Sequence, residues 1–333
     1  MLVDKKQICI DEPVKSIGGI PIISGYRKQV SKKYETEVLL LTNSDNFYNL
    51  TFEVNYYLER LKFEHIVILY NGNSELFDKL SKVLECYGGQ VELHFIEGRP
   101  SQTGLYNEYI EKSHSRWVLP IDDDEYLYIS DKYDNNINLL LASQKIKYDK
   151  YSFSCLCCIS HKSVFRVNPE IPYYKNYHFC LPFTHDENDT IKTMINTDIY
   201  HKYVPDDIEK VPMDNFLKLS DILYSKYDSM GTVHNPISHD GNNYIHAKNL
   251  SNGEINVGRV IRRRFETLDN IDCCIFHFKY RSREEWRKKI VQFSIIDSSR
   301  DYINCCYNIK KYKEIYRTTN LLDVSNLFNI FEV

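Results

Sequence analysis

Four consecutive acids, Asp122, Asp123, Asp124 and Glu125, follow the apolar run Trp117-Val118-Leu119-Pro120-Ile121 and lead into Tyr126-Leu127. A strand buried in a core carries such a cluster only where the carboxylates emerge into solvent or onto a cation, because unpaired buried charge is very costly. Asp122 and Asp124 are two apart. On a strand that persisted through them, both would leave one face while Asp123 pointed away. Two carboxylates on one face are hard oxygen ligands suited to Mg2+ or Mn2+, which in turn grips a diphosphate. The bland alternative is a solvated acidic turn, and the apolar run before the acids favours a strand end over it.

The elements that must position these acids are legible upstream. Val38 to Thr42 is a continuous apolar run, typical of a strand covered on both faces. After the polar turn Asn43 to Asn46, Leu50, Val54, Tyr57, Leu58 and Leu61 recur at helical spacing. His65 to Tyr70 reads as a second buried strand, ending at Asn71-Gly72-Asn73-Ser74, where Ser74 is the expected cap of a helix through Leu76, Leu80, Val83 and Leu84. Gly88-Gly89 stops that helix, and Val91 to Ile96 reads as a third strand. A helix over Gln102 to Ser113 delivers the chain to Trp117. Such alternation is the signature of right-handed parallel βαβ units, whose ligands bind beyond the carboxyl ends of the strands. Thr42, Asn43, Asn71 and the acids should therefore share one crevice. No turn is GxGxxG or GxxxxGK[ST], so a metal is the available phosphate holder.

The expected divisions are an N-terminal arm (1–35), a nucleotide-binding half (36–130), an acceptor-side half (131–300) and a helical tail (301–333). Inserted loops occupy 199–250, a strand Ile271 to Phe278, and a helix Arg283 to Phe293 opened by Ser282. With 333 residues the chain buries a large core, and a net charge of -4 argues against sequence-independent nucleic-acid binding. Of ten cysteines, Cys155 and Cys158 alone stand at C-x-x-C spacing, with no second such pair to complete a zinc site, and the cysteines sit in apolar segments, so they read as buried thiols in a reducing compartment. No signal peptide and no apolar run of about 20 residues is visible, which gives a cytoplasmic expectation, peripheral to a membrane at most. Three N-x-S/T sequons, at Asn49, Asn188 and Asn249, then carry little information.

Over roughly 38–130 the chain resembles the family 92 glycosyltransferases and the wider family 2-like group. The matching residues are Asn46, Glu53, Phe63-Glu64-His65-Ile66, Leu69-Tyr70-Asn71, Ser74, Gln102, Tyr106, Trp117, Ile121-Asp122 and Asp124-Glu125-Tyr126-Leu127. Lys192-Thr193 and Phe276-His277-Phe278 with Arg281-Ser282, Glu284-Glu285-Trp286 and Lys288 resemble later family segments. Phe47 stands where the family carries Glu, and Gly72 where it carries Asn. The resemblance implies an α/β, Rossmann-like GT-A (nucleotide-diphospho-sugar transferase) fold with a mostly parallel central sheet, inserted acceptor-side loops and C-terminal helices. It also implies a metal-dependent, inverting transfer from a nucleotide-diphosphate donor such as a UDP-sugar to a glycan or glycoconjugate hydroxyl.

Within that frame Asp122, Asp124 and His277 are the expected Mn2+ or Mg2+ ligands, with His201 the rival third ligand. Thr42, Asn43, Asn71, Gln102, Tyr106, Asp122 and Asp123 are expected around the donor, although Gln102 and Tyr106, one helical turn apart, would also suit simple packing. Asp186 and Glu187 are the candidates for the base that deprotonates the acceptor. Arg262-Arg263-Arg264 would suit a diphosphate or a solvated face. Glu53 is expected to have a structural partner. Two other functions fit the same acids: a two-metal nucleotidyl or phosphoryl transferase, and a non-catalytic glycan-binding module that kept the fold.

Overall fold

The structure is a computed structural model. It describes residues 22–24, 32–44, 46–98, 102–145, 148, 150–159, 172–182, 188, 191–198, 203–205, 246–251, 253, 255–257, 271–280 and 320–332. In chain order the elements are β1 (Ile22–Ser24), β2 (Tyr34–Thr42), α1 (Phe47–Asn55), β3 (His65–Tyr70), α2 (Ser74–Leu84), β4 (Val91–Phe95), α3 (Gln102–Lys112), β5 (Ser115–Asp122), β6 (Glu125–Ile129), α4 (Ile137–Ala142), β7 (Lys150–Ile159), β8 (Phe179–Cys180), β9 (Ile191–Asn196), β10 (Tyr203–Pro205), β11 (His246–Asn249), β12 (Ile255–Val257), β13 (Cys273–Tyr280) and β14 (Leu322–Asp323). A short 3-10 helix, Ser325–Phe331, follows β14.

The main sheet runs β4-β3-β2-β5-β9-β7-β11-β12. β4, β3, β2 and β5 are mutually parallel. β9 then runs antiparallel to both β5 and β7, and β11 returns parallel to β7. β13 branches off, parallel to β7 and antiparallel to β6. This mixed α/β sheet, with a parallel βαβ half and one reversed strand at its centre, fits the expected α/β class with a mostly parallel central sheet.

The unbroken apolar strand runs follow from burial on both faces. On one face Leu39, Val67, Leu69, Val118 and Ile195 pack under Leu105, Tyr106 and Ile110 of α3. On the other, Val38, Leu40, Ile66, Ile68, Leu119 and Ile121 pack against Leu50, Val54, Leu80 and Leu84 of α1 and α2. Each fully buried aliphatic contributes about 1.5–3 kcal/mol, so the strand ends are held rigidly by the slab behind them.

Local details refine the expected boundaries. Asn73, rather than Ser74, caps α2, because its side chain accepts from Glu75 N at 2.7 Å. α1 does not run on to Leu61 as an α-helix. It passes into a π-helical turn, Tyr56–Arg60, closed by Leu61 N donating to Tyr56 O, and Lys62 in the left-handed region ends it. The expected helix over 283–293 and nearly all of the expected loop region lie outside the described residues. All three sequon asparagines are buried and hydrogen-bonded: Asn49 to Asp123 and Tyr126, Asn188 to Cys157 and Leu181, Asn249 to Ser154 and Ser251.

Candidate active site

β5 ends at Asp122, and the chain turns through Asp123 and Asp124 before Glu125 opens β6. The expected alternation across a continuing strand is therefore broken. Asp122 and Asp124 are not a same-face strand pair; a tight turn sets each acid separately. The turn forms because Glu125 reaches back, its Oε2 accepting from Asp122 N at 3.0 Å. Asp124 O accepts from Phe278 N at 2.7 Å, which ties the turn to β13.

Asp122 is the hub. Its Oδ1 accepts from Gln102 Nε2 at 2.5 Å and lies 3.0 Å from the Tyr106 hydroxyl. Its Oδ2 is 3.1 Å from Lys192 Nζ. Gln102 and Tyr106 face it together because they are one turn apart on α3. Lys192, on β9, also meets Glu125 Oε2 at 2.6 Å, and both side chains are only 1% exposed. Burial disfavours the ammonium's charge, but Asp122 and then Glu125 outweigh it and hold the lysine protonated. Burial pushes the Glu125 carboxyl up to about 8 against the opposing pull of Lys192, with Asp122 and Asp124 adding repulsion.

Asp123 is set by Thr42, whose hydroxyl donates to its Oδ2 at 2.6 Å and accepts from Ser44 N at 3.0 Å. The antiparallel register of β13 and β6 brings His277 level with Glu125. His277 Nε2 lies 3.7 Å from Asp124 Oδ1, and its Nδ1 lies 3.7 Å from Glu125 Oε1. Beneath the turn sits Glu53 of α1, fully buried, with neither carboxylate oxygen hydrogen-bonded. Among the described residues the structural partner expected for it is absent. Burial, then Asp123, Asp124, Glu125 and Asp122 in turn, hold its carboxyl well above the usual range.

The donor set suits a divalent cation. Two ligands about 2.0–2.3 Å from one ion subtend separations of roughly 3–4 Å, and the oxygen of Asp124 and the nitrogen of His277 fall in that span. A carboxylate offers about four lone-pair sites, and Lys192 takes one of the two on Asp122 Oδ2. Among the described residues, no three carboxylate, imidazole or thiol side chains already surround one point.

No protein-family model matches the chain, and no curated protein does either. Solved structures do match. The crystal structure of GalNAc-T7 with UDP, GalNAc and Mn2+ is 15% identical over 38% of this chain and 23% of that one, at a TM-score of 0.31. That of S. aureus TarS 1-349 is 12% identical over 50% of this chain and 48% of that one, at 0.31. A 4-diphosphocytidyl-2C-methyl-D-erythritol synthase from Anaerococcus prevotii is 10% identical over 50% and 71%, at 0.29. The chain thus spans about a quarter of the first of these and about half of the second.

The other expected site residues are distributed as follows. Asn43 is exposed just beyond the end of β2. Asn71 is pinned, its Nδ2 donating to Ile96 O at 2.6 Å and Gly98 O at 3.0 Å, so it shapes the exit of β4. Asp186, Glu187, His201 and Arg262 to Arg264 lie outside the described residues. Two participants went unrecognised as site residues: Lys192, and the acid Glu125 that it bridges. A solitary lysine in Ile191-Lys192-Thr193-Met194-Ile195 was the available signal, because a buried strand admits an ammonium only beside carboxylates.

Proposed function

We propose that the protein is a metal-dependent glycosyltransferase, which moves a sugar from a nucleotide-diphosphate donor, a UDP-sugar by preference, to a glycan hydroxyl with inversion. The observation that carries the reading is the convergence, at the carboxyl ends of the parallel strands, of a fixed Asp122, a Thr42-held Asp123 and the Asp124/His277 pair.

Asp124 and His277 would hold the cation, with Asp122 as the further carboxylate beside them. When bound, the ion neutralises charge developing on the departing diphosphate. Gln102, Tyr106 and Lys192 keep Asp122 in one orientation, so no reorganisation is needed as the donor reacts. Asp123, half-buried and anchored by Thr42, is proposed to take part in holding the donor. Asp186 or Glu187, just before the buried Asn188, is proposed as the base that takes the acceptor proton.

The test is Mn2+-dependent release of nucleoside diphosphate from purified protein supplied with UDP-sugars. Asp124→Asn and His277→Ala should each lose metal-dependent nucleotide affinity by tenfold or more, read by calorimetry. Asp186→Asn or Glu187→Gln should leave nucleotide affinity intact and lower turnover at least a hundredfold. Nucleotide binding that ignores Mn2+ in the parent and both metal-site variants would defeat the proposal.

A further inference from the structure

β4 is the end strand of the main sheet, and among the described residues it pairs with β3 alone. One residue fixes the direction of its backbone groups. Ile96 N donates to Tyr70 O at 2.9 Å, and Ile96 O accepts from Asn71 Nδ2 at 2.6 Å, so residue 96 turns its peptide groups toward β3. Along a strand these groups alternate from side to side. Glu92 and His94 therefore also present their N–H and C=O to β3, and those of Val91, Leu93 and Phe95 point outward from the open edge.

Open edges are ordinarily blunted by lysine, proline or a bulge. β4 has none of these: its sequence is Val91-Glu92-Leu93-His94-Phe95, and its register with β3 runs unbroken. That string is complementary to its own reverse. Turned about a two-fold axis at Leu93, Glu92 of one copy falls opposite His94 of the other, and Val91 falls opposite Phe95. The backbone agrees with this register. The outward-facing residues make the hydrogen-bonded pairs, Leu93 with Leu93 and Val91 with Phe95, roughly six bonds in all. Glu92 and His94 take the non-hydrogen-bonded positions, where Cα atoms are about 4.5 Å apart and side chains are closest. Sliding the copies by one such pair in either direction would set Glu92 against Glu92 or His94 against His94.

Both faces of the edge are open to a partner. On one, the side chains of Glu92 and His94 are 53% and 39% exposed, and the His94 ring stands edge-on to Tyr109 of α3 at 5.2 Å. On the other, Val91, Leu93 and Phe95 are only partly buried, with the partly buried Phe77 of α2 5.3 Å from Phe95. We infer that the chain forms a two-fold dimer through antiparallel β4–β4 pairing, which joins two main sheets into one. The same patch serves both copies, as a closed two-fold interface requires. The inference is independent of the glycosyltransferase reading.

Sedimentation equilibrium of the full-length protein over ~1–100 μM should show a monomer passing into a dimer. Glu92→Lys replaces each attractive cross-strand pair by a repulsive one and should weaken the dimer roughly tenfold or more. Adding His94→Glu reverses both members of each pair and should restore it. Leu93→Pro removes an N–H that has no partner among the described residues, so far-UV circular dichroism should be unchanged while the dimer is lost. Amide exchange should alternate: Leu93 and Phe95 slow in the dimer and fast in the dilute monomer, His94 slow in both. A protein that stays monomeric at ~100 μM overturns the inference, and so does a dimer that Glu92→Lys and Leu93→Pro both leave intact. A monomer whose Leu93 amide is protected would have another segment of this chain on the edge, which overturns it equally.

Discussion

Lys192 resolves a conflict that Asp122 and Glu125 create together. The turn needs Glu125 to accept from Asp122 N, which brings a second carboxyl against the first. One ammonium 3.1 Å from Asp122 Oδ2 and 2.6 Å from Glu125 Oε2 makes both positions tenable. Removing one partner of a buried pair is worse than removing both, since the survivor is left uncompensated. Lys192→Met should therefore cost about 3–5 kcal/mol, measured by urea unfolding. Adding Glu125→Gln should restore part of that, because the amide still accepts from Asp122 N through its oxygen. If the double variant is no more stable than the single one, Asp122 alone is the acid that Lys192 serves.

β6 is an element with a missing neighbour. Among the described residues it pairs with β13 and with no strand on its other side. Tyrosines from the π-helical turn stand in for one: Tyr56 hydroxyl donates to Leu127 O at 2.6 Å, and Tyr57 hydroxyl donates to Glu125 O at 3.1 Å and accepts from Leu127 N at 3.2 Å. Tyr57→Phe would leave a buried amide and a buried carbonyl unsatisfied, each at about 1–3 kcal/mol, and should loosen the acidic turn that β6 begins. Faster hydrogen exchange at Leu127 would register it; unchanged protection would mean the helix packing alone holds β6. The strands and helices feeding this region were legible because period-2, period-3.6 and unbroken apolar runs report burial directly. The π turn was not, since its Tyr56-Tyr57 pair fits a helical face equally well. The reversal at Asp123 and Asp124 was not legible, because spacing of two says nothing about where a backbone reverses. Gly72 shows the same limit: a Cβ there would sit 2.5 Å from the Tyr70 ring, a contact invisible without coordinates.

At the scale of the whole molecule, the acidic crevice makes stability depend on pH. Glu53 is raised by burial and by the acids above it, and Glu125 is raised by burial to about 8. For a carboxyl raised in the fold, the native state binds its proton more tightly than the unfolded chain does. Its stabilising contribution is complete below the usual 4.5, and it is lost as pH rises through the folded value. Each such group steepens the decline by up to about 1.4 kcal/mol per pH unit. In chelator, the urea midpoint should fall between pH 5 and pH 8. Glu53→Gln keeps the shape without an ionisable proton, so its midpoint should match the parent near pH 5 and exceed it by pH 8. Parallel profiles for parent and variant would show that Glu53 keeps one protonation state across that range in folded and unfolded chains alike, contrary to a buried, unpaired acid. A divalent cation at Asp124 and His277 would offset the repulsion from the same side, so Mn2+ should flatten the parent's profile more at pH 8 than at pH 5.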